Sequence, residues 1–203
     1  MTTSADQDTH LGPDGLRRCW WSAGSDELRR YHDTEWGFAV RDDRHLFEKI
    51  CLEAFQTGLS WALILNKRPR FRAVFHDFAW PAVAAMSPAD VERLMGDAGI
   101  VRNRRKIEAT IHNARLCGEL IEAEGSLAEF VWRYVDEDRP AVITRDWAVS
   151  RTTSPASHAL AADLRRRGWK FVGPTTMYAF LQSMGVANDH VAGCHCRTGP
   201  PPN

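Results

Sequence analysis

From Arg44 to Thr57 the apolar side chains Leu46, Phe47, Ile50, Cys51, Ala54 and Phe55 recur at steps of three and four. That spacing places them on one face of an α-helix and does not fit the alternation of a half-buried strand. The same period returns along most of the chain. Ile107, Ile111, Ala114, Gly118 and Ile121 predict one face of a helix over 104–124, stopped by Gly125, and Ser126 caps another carried by Phe130, Val131 and Tyr134. Ser87-Pro88-Ala89-Asp90 supplies an N-cap, a first-turn proline and an acidic third position for a helix through Val91, Leu94 and Met95 that Gly96 ends. Leu160 and Leu164 mark a helix closed by Gly168, and Pro174 opens a last one through Met177, Tyr178, Leu181 and Met184 to Gly185. A short helix from Ser60 to Asn66 is predicted to stop before Pro69, with Phe71, Val74, Phe75 and Phe78 spacing a further turn or two. Residues 136–153 read as irregular and no strand pattern is evident, so the predicted class is all-α.

No stretch rich in Pro, Gly or Ser divides residues 17–196, which are expected to form one domain. The polar residues 1–16 are expected to be a disordered extension and 197–203 a flexible tail. No apolar run approaches the roughly 20 residues that span a bilayer, which excludes a membrane-spanning chain. The polar start lacks the apolar middle of a secretory signal. Five cysteines, an odd number widely spread, make a poor disulfide framework, and the expected compartment is the cytoplasm. With formal net charge zero, attraction to a polyanion must be local.

Three constellations carry chemistry. Cys19 with His32, and His190 with Cys194, give two thiolates and two imidazoles, a set that suits closed tetrahedral zinc. His195 and Cys196 stand beside them as competing donors, and spacing alone leaves ordinary polar histidines and a small core cysteine an equal reading. Glu53 falls seven residues after Leu46 and three after Ile50, which turns its carboxylate inward. Trp21, Tyr31, Trp36 and Trp61 are close enough in sequence to line a pocket for a planar or cationic ligand, although buried carboxylates are usually structural pairs. From Leu94 to Ile107 a helix, a turn through Gly99 and a second helix start carry Arg102, Arg104 and Lys106. That arrangement can aim amides and cations at a phosphate, with Arg68 and Arg70 as further candidates, or be a plain solvated helix entrance.

Arg18-Cys19-Trp20-Trp21, Tyr31-His32-Asp33-Thr34-Glu35-Trp36-Gly37, Leu46-Phe47-Glu48 with Leu52-Glu53, Gln56-Thr57-Gly58-Leu59-Ser60-Trp61, Asp97-Ala98-Gly99-Ile100, and Asn188-Asp189-His190-Val191 with Gly193-Cys194 follow one another in this order. Together, from about Arg17 to Cys196, they resemble the 3-methyladenine DNA glycosylase I family. The resemblance implies a helix-hairpin-helix DNA glycosylase fold whose two ends meet at one structural zinc held by Cys19, His32, His190 and Cys194, with His195 and Cys196 outside it. It implies a monofunctional N-glycosylase of base-excision repair, acting as a monomer on alkylated double-stranded DNA. That enzyme flips 3-methyladenine out, hydrolyses its glycosidic bond and leaves an abasic site. By the same resemblance Glu53 and Tyr31 hydrogen-bond the base edge, Trp61 stacks on its face, Trp21 and Trp36 shape the wall, and Leu59 after Gly58 wedges into the duplex.

Two departures stand out: Leu28, where some relatives carry a tyrosine, and Ala54-Phe55, which is expected to narrow the pocket. The absence of any aspartate between Lys106 and Tyr134 agrees with the family, which does without the aspartate of many other helix-hairpin-helix glycosylases. Rival readings are a zinc-stapled DNA-binding module and a zinc hydrolase, the latter needing an open metal position.

Overall fold

The computed structural model describes residues 7–135 and 138–198. Strands β1 (Thr9–Leu11) and β2 (Arg17–Cys19) pair antiparallel, with Thr9 opposite Cys19, and a short 3-10 turn over Trp20–Gly24 follows. Helices come next: α1 (Asp26–Thr34), α2 (Asp43–Gln56), α3 (Trp61–Val74), α4 (Trp80–Ala84) and α5 (Pro88–Met95). Then come α6 (Arg104–Glu124), α7 (Leu127–Val131), α8 (Arg145–Ser150), α9 (Pro155–Arg166) and α10 (Pro174–Ser183). Among the described residues no helix is long and apolar enough to cross a membrane.

At the centre lies α2, where every position from Leu46 to Phe55 is buried. It is packed by α3, α6, α7 and α10. This enclosure explains why three charged residues of one helix, Glu48, Lys49 and Glu53, are all inside. Gly58 follows with φ +84°, a left-handed turn that a side chain would strain, and Ser60 then caps α3 by accepting from the Leu63 amide.

Four expectations are corrected. Helix α3 continues through Pro69, because Phe71 packs 4.6 Å from Phe55 ring to ring and Phe75 stacks on Phe78 at 5.6 Å. This packing outweighs the roughly 3 kcal/mol that an interior proline costs. The segment expected to be irregular contains α8, which buries none of its residues and so leaves no apolar stripe to read. The extension expected to be disordered through residue 16 contributes β1. The buried Arg18 explains it, reaching Asp14 at 2.6 Å and Asp33 at 2.7 Å and so fixing the hairpin. At the other end Arg197, assigned to a flexible tail, donates to the carbonyls of His190 and Ala141. Residues 1–6 and 199–203 lie outside the described residues.

Candidate active site and metal centre

The C-terminal segment returns to the first hairpin, the His195 amide donating to the Arg17 carbonyl at 2.9 Å. This brings Cys19, His32, His190 and Cys194 together, all four buried, with their donor atoms within 4.8 Å of one another. Cys19 Sγ lies 3.5 Å from His190 Nδ1, and Cys194 Sγ lies 3.3 Å from His32 Nε2 and 3.6 Å from His190 Nδ1. Zinc–sulfur and zinc–nitrogen bonds of about 2.3 and 2.0 Å give a tetrahedron with edges of about 3.5 Å, so the donor set fits such an ion. The outward nitrogens are also fixed: His190 Nε2 donates to the Trp36 carbonyl at 2.9 Å and His32 Nδ1 to Asp33 at 2.8 Å. Second partners of this kind orient metal-binding imidazoles. Burial opposes ionisation of Asp33, but hydrogen bonds from Arg18, His32 and His195 outweigh it and hold its pKa at about 2. A second donor group, His32, Asp33, His195 and Cys196, shares His32 with the first. Gly37, at φ +83°, lets the backbone pass this cluster, since a Cβ there would sit 2.7 Å from His190 Nε2.

Beside the cluster opens a cavity of about 460 Å³ whose walls include Trp21, Tyr31, Trp36, Glu53 and Trp61. Every residue expected for the base pocket therefore faces one space. The rings lean on one another and on the Cys/His cluster. Trp21 meets Trp36 edge to face at 5.1 Å and His32 at 5.2 Å, Trp36 meets His190 at 4.7 Å, and Tyr31 tilts against Trp61 at 5.3 Å. Glu53 is 5% exposed and paired with the Lys49 ammonium one helical turn earlier, 2.9 Å away. Lys49 also donates to the Tyr31 hydroxyl at 2.7 Å and lies 3.3 Å from the Trp61 ring centre. Burial lowers the pKa of Lys49 while Glu53 opposes the shift; burial, then the Glu53 charge, raises that of Tyr31, whose phenol stays protonated near neutral pH.

At the mouth, Leu59 and Leu63 are exposed around the start of α3, and Ser60 and Ala62 belong to the cavity wall. The turn between α5 and α6 does not present all the cations expected of it. Arg102 is exposed, and Arg104 holds Glu92 through two bonds of 2.7 and 2.8 Å on the surface. Lys106 is buried, its ammonium donating to the carbonyls of Phe55 and Thr57 at 2.9 and 2.8 Å, so it closes the end of α2 and is not available to a phosphate. Arg68 is likewise buried against Glu35, while Arg70 pairs with Asp97 in the turn.

A family model described as methyladenine glycosylase matches residues 20–198. The chain belongs to the methyladenine glycosylase family. It is 44% identical to DNA-3-methyladenine glycosylase 1 of Escherichia coli over 187 residues, 92% of this chain and all of that one. A crystal structure of 3-methyladenine DNA glycosylase I is similar with a TM-score of 0.83 and 46% identity, over 88% of this chain and 98% of its own. Another glycosylase I, a variant solved in complex with 3-methyladenine, has a TM-score of 0.82 and 31% identity over 90% of this chain and 98% of its own.

In this methyladenine glycosylase, Leu28 stands in the cavity wall, so the aromatic lining is interrupted there. Ala54 and Phe55 turn into the core and do not narrow the cavity, which corrects the expectation. Sequence reasoning missed two groups at this site. Lys49 carried no motif, although it lies one turn before Glu53 and shares its inward phase. Asp189, quoted only as part of a motif, reaches the cavity wall and accepts from Tyr178 at 2.6 Å and Gln182 at 2.8 Å, with Arg139 2.6 Å from its other oxygen.

Proposed function

We propose that this chain excises 3-methyladenine from alkylated double-stranded DNA as a monofunctional N-glycosylase, opening base-excision repair. The observation that carries the reading is the convergence of Glu53, Tyr31 and Trp61 on one cavity, in a chain that covers the full length of a named glycosylase of this activity. Methylation at N3 makes the adenine base cationic and a good leaving group. The protein therefore has to extrude it, hold it and admit water. In this reading Glu53 and Tyr31 bond the edge of the flipped base, Trp61 stacks on its face, and Trp21 and Trp36 close the wall. Leu59, following Gly58, fills the gap in the duplex and offsets an unstacking cost of a few kcal/mol.

The N-terminal hairpin from Thr9, the helices and the C-terminal segment through Arg197 act as one domain, a monomer working in the cytoplasm. The ion held by Cys19, His32, His190 and Cys194 is zinc; four protein donors leave no place for an activated water, which favours a structural role over hydrolase chemistry. The helix pair α5 and α6 serves as the helix-hairpin-helix element, with Arg102, Arg104 and the first amides of α6 toward the phosphates.

The test is base release from methylated duplex, with the products resolved. Free 3-methyladenine and an intact strand bearing an abasic site are expected; binding without release would establish the binding-module reading instead. For the phosphate contacts, Arg102→Ala should weaken binding to all sequences alike and lower the salt slope by about one. Lys106→Met should leave that slope unchanged while costing about 1–3 kcal/mol of stability, because the buried Phe55 carbonyl and the Thr57 carbonyl lose their donor. A slope that falls with Lys106 and not with Arg102 would reverse the assignment.

A further inference from the structure

The pocket contains a cation of its own. Lys49 is 4% exposed, and its ammonium touches three of the groups proposed to bind the base: the Glu53 carboxylate, the Tyr31 hydroxyl and the face of Trp61. It is absent from the cavity wall that those three residues form, so it lies behind them. The carboxylate therefore does not confront a bound base as an isolated negative charge. A full positive charge is held one layer deeper, in a setting where charges are weakly screened.

The reaction changes the charge of the base. Before cleavage, the N3-methylated adenine attached to the sugar is a cation. As the C1′–N9 bond breaks, its electron pair stays on N9, the base leaves neutral, and the positive charge passes to the sugar as an oxocarbenium ion. Water then adds to C1′ and releases a proton to solvent. A fixed cation behind the base is repelled by the bound substrate and not by the departing base, so it raises the ground state relative to the transition state.

We infer that Lys49 is a positioning residue for base release: it holds Glu53 and Tyr31 in place, and its charge shifts the pocket's preference from the cationic attached base toward the neutral leaving base. This rests on the reading of the chain as a 3-methyladenine glycosylase. A purely structural lysine would lower rate and binding together, whereas the charge effect moves them apart.

Lys49→Met should lower the single-turnover rate of 3-methyladenine release while lowering the half-saturating concentration of methylated duplex, and Lys49→Arg should restore both toward wild type. A second measurement is independent of turnover. Quenching of tryptophan fluorescence by 3-methyladenine, a neutral base, and by 3,9-dimethyladeninium, a fixed cation, gives a ratio of dissociation constants. Lys49→Met should shift that ratio on the order of tenfold toward the cation. Should Lys49→Met fail to fold, Lys49→Met with Glu53→Gln, compared with Glu53→Gln alone, provides the same ratio in a neutral pocket. A ratio unchanged by loss of the Lys49 charge, or rate and affinity falling together, overturns the inference. Absence of base release by the wild type would instead strike at the glycosylase reading, which the binding ratio does not use.

Discussion

Glu53→Gln should cut release of 3-methyladenine from sub-saturating methylated duplex by about 10- to 150-fold, the scale of one charge-assisted hydrogen bond to the cationic base. The amide keeps the size of the side chain and one acceptor, so the loss reports the charge. Considered alone, the sequence suggests that this substitution would spare the fold. The Lys49 ammonium, 2.9 Å from the carboxylate, changes that expectation. Once the carboxylate is replaced by an amide, that ammonium is buried without a counter-charge, and breaking a buried pair costs on the order of 3 kcal/mol. Chemical denaturation should show the deficit, and adding Lys49→Met should recover most of it without restoring base release. If Glu53→Gln excises at the wild-type rate and Trp61→Ala is active as well, this cavity is not where the base is held.

Loss of the metal should have the widest effect. Purified protein is expected to carry one zinc per chain, and a strong chelator, or Cys19→Ala with Cys194→Ala, should remove it and lower the melting temperature sharply. Binding of structural zinc is coupled to folding and in small domains amounts to about 10–16 kcal/mol. Here a separate core contributes, so only part of that stability is at stake. Base release should be lost too, since Trp21 rests on His32 and Trp36 on His190. Mass spectrometry under native conditions and calorimetry would measure both. Metal-free protein whose melting is indifferent to chelation would sink the proposal.

The helices with long apolar stripes were legible because burial along one face leaves a period in the sequence. Helix α6 begins and ends where the spacing predicts, and the capping box of α5 is present at Ser87 and Asp90. Helices α1 and α8 were not legible, since the first buries only Tyr31 and His32 and the second nothing. Their starts are written in the caps Ser25 and Thr144, a signal too common to stand alone. The inward phase of Glu53 could be read because its neighbours in phase are apolar. Lys49 and Lys106 could not, because lysine in a run of mixed charge ordinarily reads as solvated. Only the surrounding helices show that α2 is enclosed on every side and that its C-terminal end at Phe55 and Thr57 needs a donor.

The pairing of Cys19 with His190, 171 residues apart, also sets a schedule. Synthesis at about 5–20 residues per second separates the two by about 10–30 s on the ribosome. During that interval Cys19 and His32 are only half of the four-donor set, and Trp21 and Trp36 lack the imidazole that later backs one of them. A nascent chain can thus build its central helices and still hold no finished pocket. The ability to hold a flipped base arrives only with the last segment, so an interrupted translation product would reach the cell without a working site, whatever the length of helix it had already folded.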